Sequence, residues 1–157
     1  VGEGDSSVKR SILQLIAIAS VIFILGGNAP ASEYYNLSLS SIKLGESERI
    51  AGFEIKIRSG RIESLPSLPM GWNMIIDNDP SWNTSIQGIA IVGAAFLDAD
   101  DKDLLQKLMI VERLTEGMVA EEIPFDVKAT VHVVNTKTGK ERTITEGKEK
   151  LLTPLKR

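Results

Sequence analysis

The stretch MGWNMIIDNDPSWNTSIQGIAIVGAAF, Met70 to Phe96, decides the fold class. Two apolar runs flank a polar loop, Asn78 to Asn83, in which Asp79 and Pro80 supply turn chemistry, so the pattern predicts a long β-hairpin. In its first arm Trp72, Met74 and Ile76 alternate with Asn73, Ile75 and Asp77. The second arm, from Ile86 to Leu97, is apolar on both alternating sets, with Ile86, Val92 and Phe96 on one and Ile89, Ile91 and Leu97 on the other. A strand of that kind is expected to be covered on both faces. Gly88 and Gly93 within it mark a bulge or the close approach of another element.

Working back from the hairpin, Leu65-Pro66-Ser67-Leu68-Pro69 cannot continue a ladder, because proline lacks an N–H and holds the residue before it extended. It is read as a crossover between two sheets. Upstream, Phe53, Ile55 and Ile57 alternate with Glu54, Lys56 and Arg58, the period of a half-buried strand. Ser59-Gly60 then reads as a tight reversal that pairs this strand with residues 61–65. Glu33 to Leu44 predicts a strand with Leu37 and Leu39 inward and Ser38 and Ser40 on a serine-rich outer face.

Downstream, residues 104–114 fit two patterns. Leu104, Leu108 and Val111 have helical spacing, with Asp103 as an N-cap, whereas Met109-Ile110-Val111 suits a pleated surface, and the strand is the favoured reading. Phe125 to Val134 alternates most clearly, with Val127, Ala129, Val131 and Val133 inward against Lys128, Thr130 and His132. Residues 135–140 contain Gly139 and predict a hairpin loop into a last strand from Glu141. About eight strands with turn signals every eight to twelve residues or so, and one ambiguous helix, predict an all-β fold, a two-sheet antiparallel β-sandwich of immunoglobulin-like general architecture. The expected organisation is an N-terminal hydrophobic segment at 1–31, the sandwich at 32–146 and a C-terminal tail at 147–157.

Lys9 and Arg10 precede an apolar run from Ile12 to Leu25, and Ala29 and Ala31 follow as an Ala-x-Ala pair, the grammar of a secretory signal peptide. If the segment is retained, residues 12–27 are the membrane contact and act as a signal anchor. The domain is expected to be exported, periplasmic or secreted, or else anchored with the sandwich outside. The 157 residues carry a net charge of −3 with no basic stripe, which argues against nucleic-acid binding. No Cys is present, which removes disulfides, thiolate metal sites and cysteine nucleophiles.

His132 is the one histidine, so a His-rich metal site is excluded. Asp98, Asp100, Asp101 and Asp103 form the densest carboxylate cluster and are the calcium candidate, although Lys102 interrupts the ligand spacing of a helix-loop-helix calcium loop. No other cofactor is indicated. Trp82 with Asn78, Asp79 and Asn83 forms the candidate binding surface, because a ring flanked by amides and carboxylates can anchor a protein or stack on a sugar. The reading is a non-enzymatic binding or interaction domain, with a protein partner favoured over a glycan. The alternatives are a membrane-anchored subunit of an envelope assembly that uses residues 86–97 as a contact surface, and a small hydrolase using carboxylates such as Glu121 and Glu122.

Overall fold

The computed structural model describes residues 32–77, 84–90, 96–114 and 123–156. In chain order they form β1 (Glu33–Leu37), β2 (Glu48–Arg58), β3 (Gly60–Ser64), β4 (Trp72–Asp77), β5 (Thr84–Ala90), a helical turn α1 (Lys102–Gln106), β6 (Met109–Arg113), β7 (Asp126–Asn135), β8 (Glu141–Gly147), a second turn α2 (Lys148–Leu151) and β9 (Leu152–Pro154). Four strands build one sheet in the order β3-β6-β1-β9 and five build the other in the order β4-β5-β2-β7-β8. Every pairing is antiparallel. Leu37, Met109 and Val111 from the first sheet share one buried cluster with Phe53, Ile55, Ile86 and Val131 from the second, so the protein is an all-β sandwich.

Period two accounts for β7, where Val127, Ala129, Val131 and Val133 are buried while Lys128 and His132 face solvent. Its turn into β8 holds Gly139 at φ +71°, the left-handed position expected there. The described arms of the opening hairpin pair as expected, Trp72 opposite Ala90 through Asp77 opposite Ser85. Residues 65–69 do carry the chain from one sheet to the other.

Ser59-Gly60 is a corner, not a hairpin. β2 lies at the centre of its sheet with β5 and β7 on its two sides, so no side is left for β3, which pairs with β6 in the opposite sheet. Ser59 adopts φ +52°, donates its hydroxyl to the Ile123 carbonyl at 2.5 Å and accepts the Leu114 N–H at 2.9 Å. Gly60 is needed for space, since a Cβ there would lie 2.8 Å from Ile57 and 2.9 Å from Phe125.

Three further readings change. β1 ends at Leu37, and Ser38 is buried, its N–H on the Leu151 carbonyl and its hydroxyl on the Leu105 carbonyl, because α1 and α2 close that end of the core. Residues 104–114 divide into the end of α1 and β6, with Met109 and Val111 inward and Glu112 on the outer face, paired across to β1 and β3 and not to β5. The segment read as a tail supplies α2 and β9, which adds an edge strand beside β1.

Candidate functional site

β2 carries the feature on which the outer face of the five-stranded sheet depends. Ile50 pairs with Val133 and Gly52 with His132, so Ala51 is an extra residue, a β-bulge that reverses the side-chain parity. Ile50 and Phe53 are therefore both buried, and Gly52 falls on the outer face. Asn73, Ile89, Gly52, His132 and Thr143 stand opposite one another in a row across all five strands.

With no side chain at its middle position, the row forms a notch. A groove of about 490 Å³ runs over it, with Ile89 on one side, His132 and Thr143 on the other, and Glu54, Gln87 and Arg142 around the rim. Ile89 is 50% exposed. The Thr143 hydroxyl lies 3.4 Å from His132 Nδ1. Glu54 sits 3.7 Å from Lys56 Nζ and accepts a 3.4 Å bond from the Gln87 amide. Arg142 grips Glu48 through Nε at 2.8 Å and Nη2 at 2.7 Å, and it also donates to the Lys43 carbonyl. These bonds, with the Gly45 N–H, hold the Glu48 carboxyl down at about 2. Such a surface presents an apolar wall, neutral donors and acceptors and fixed charges on rigid strands, the materials of a recognition groove.

The acidic turn is locally engaged. Asp98 accepts the Asp100 N–H, Asp101 accepts the Asp98 N–H, both at 2.8 Å, and Arg49 lies 3.6 Å from Asp98. Asp103 belongs to α1, and among the described residues no three His, Asp or Glu side chains are grouped as metal ligands. Asn78, Asp79, Trp82 and Asn83 lie outside the described residues, as do residues 1–31, 91–95 and the Glu121–Glu122 pair. In the doubly apolar stretch Ile86 of one alternating set is buried, while in the other set Leu97 is buried and Ile89 is open to solvent, so among the described residues that second set is not uniformly covered.

The groove escaped the sequence reading because Gly52 gives no chemical signal. The usable sign was Ile50-Ala51-Gly52-Phe53, where two apolar residues three apart break period two at a pair of small residues. No protein-family model matches the chain, and no curated protein or solved structure matches it either.

Proposed function

We propose that the chain is an exported, non-enzymatic interaction domain of immunoglobulin-like general architecture, which binds a protein partner through the outer face of its five-stranded sheet. The observation that carries this reading is the notch at Gly52, bounded by Ile89 and His132. A missing side chain between two exposed ones leaves room for one side chain of a partner, and anchors of interfaces are large side chains seated in such recesses. Export rests on the Lys9-Arg10 pair and the apolar run after it. The anchored-subunit reading shares this surface, because Ile89 belongs to the stretch it would use.

Capture with the full chain as bait tests the reading when wild type is compared with a Gly52→Ala, His132→Glu variant. A Cβ at Gly52 would lie 3.3 Å from the Gly88 carbonyl oxygen, a contact that asks the strands to give by a few tenths of an ångström, and circular dichroism of the variant checks its fold. A genuine partner loses about tenfold or more in affinity for the groove variant and none for Glu63→Lys, an exposed position on β3 in the opposite sheet. A partner that binds all three chains equally ends the proposal.

A further inference from the structure

We infer that the edge of β4 to which no described strand pairs is a self-association surface, where a second copy of the chain adds its own β4 and the two five-stranded sheets become one. Among the described residues the sandwich has four edge strands, β3, β9, β4 and β8. Three carry the features that keep an edge from pairing: β3 is short and bears Arg61 and Glu63, β8 bears Glu141, Arg142 and Glu146, and β9 has three residues ending in Pro154. β4 differs, with neither proline nor charge from Trp72 to Ile76. Ile75 and Ile76, on opposite faces of the same strand, are 53% and 52% exposed. A strand added at this edge would cover both.

The occupant follows from the sequence of β4 read against itself. In an antiparallel pair centred on Ile75, that residue faces Ile75 of the second copy, Met74 faces Ile76, and the Asn73 amide faces the Asp77 carboxylate. The two Asp77 carboxylates then stand about 14 Å apart, four residues along the ladder, so like charges do not meet. A two-fold axis through Ile75 satisfies both copies with the same contacts, as a closed dimer requires. Ile75 stands opposite Gln87 on the groove rim, so the two surfaces adjoin; crosslinking reads the edge and capture reads the groove, and either can fail without the other.

The absence of cysteine permits a direct test on the full chain. With Ile75→Cys, the two thiols lie on residues directly opposite, about 4.5 to 5.5 Å between Cα atoms and within disulfide range. Mild oxidation is expected to give a covalent dimer on a non-reducing gel. Asn73→Cys places its two thiols about 14 Å apart in the same register and gives none. Ile75→Lys, an exposed position that leaves the circular dichroism unchanged, converts the wild-type dimer to monomer in sedimentation. A monomeric wild type, equal crosslinking of the two cysteine variants, or a dimer that persists in Ile75→Lys would overturn the inference.

Discussion

The ring of Phe53 occupies the space where a side chain on Gly88 would stand. An ideal Cβ on Gly88 lies 2.7 Å from Phe53 Cζ and within 3.1 Å of both adjoining ring carbons, and the same ring stacks on Trp72 at 5.6 Å between centroids. The close approach that Gly88 signalled in the sequence is thus that of the Phe53 ring, which also stacks on Trp72 of β4. Gly88→Ala is expected to cost about 1 to 3 kcal/mol by overpacking, and Gly52→Ala less, since it meets one carbonyl oxygen at 3.3 Å. Urea unfolding should rank wild type above Gly52→Ala above Gly88→Ala. A Gly88→Ala protein as stable as wild type would show that the ring moves freely.

Gly60 and Gly139 separate two reasons for glycine. At Gly60 a Cβ would meet Ile57 at 2.8 Å, Phe125 at 2.9 Å and the Glu112 carbonyl at 3.1 Å, and the last is backbone that cannot turn away. At Gly139 nothing lies within 4 Å and only φ +71° is demanded. Gly60→Ala is expected to cost about 1 to 3 kcal/mol and Gly139→Asn about 1 kcal/mol or less, because asparagine tolerates the left-handed region. The reverse order in thermal unfolding would mean that the corner after β2 is loosely packed.

How far the fold was legible depends on which interactions decide each element. Val127 to Val133 fold as their alternation predicts because a strand's inward face depends only on local period. Pairing partners do not: β2 and β3 were separated because β5 and β7 take both sides of β2, a competition that no window around Ser59 contains. Ser38 was read as outward because the strand was extended past Leu37, although α1 and α2 supply the carbonyls that bury it. The groove depends on register across β5, β2, β7 and β8, and the chemistry-bearing residues Asp98 and Asp101 proved to spend their carboxylates on their own turn.

Glu48 should tie stability to acid. Its carboxyl is depressed from 4.5 to about 2, first by the two Arg142 hydrogen bonds and then by the Gly45 N–H. A depressed native value means that the unfolded chain takes up the proton first, so the contribution is complete above pH 4.5, declines below it and is gone once pH falls through about 2. Glu48→Gln is expected to be less stable than wild type at neutral pH and to converge with it near pH 2, in urea titrations across that range. The difference should shrink with added salt, since the pair is solvent-exposed. A gap between the two proteins that is constant with pH would assign the effect to shape and not to charge.

Glu112 presents the opposite setting, a carboxylate on the outer face of the four-stranded sheet that is nevertheless buried. Hydrogen bonds from Ser32, Arg61 and Tyr34 lower its pKa against the opposing effect of burial, with Ser32 the largest contribution. Arg61 forms an ion pair with it from β3, across the register in which Arg61 and Tyr34 both stand opposite Glu112. Removing the cation alone leaves a buried charge with fewer donors, whereas removing both leaves no charge to bury beside Ser32 and Tyr34. Arg61→Met is therefore expected to destabilise by about 1 to 3 kcal/mol, and Arg61→Met with Glu112→Leu to recover part of that loss. Urea unfolding of the two single variants and the double variant closes the cycle. Losses that simply add would show that the buried carboxylate draws its support from Ser32 and Tyr34 alone.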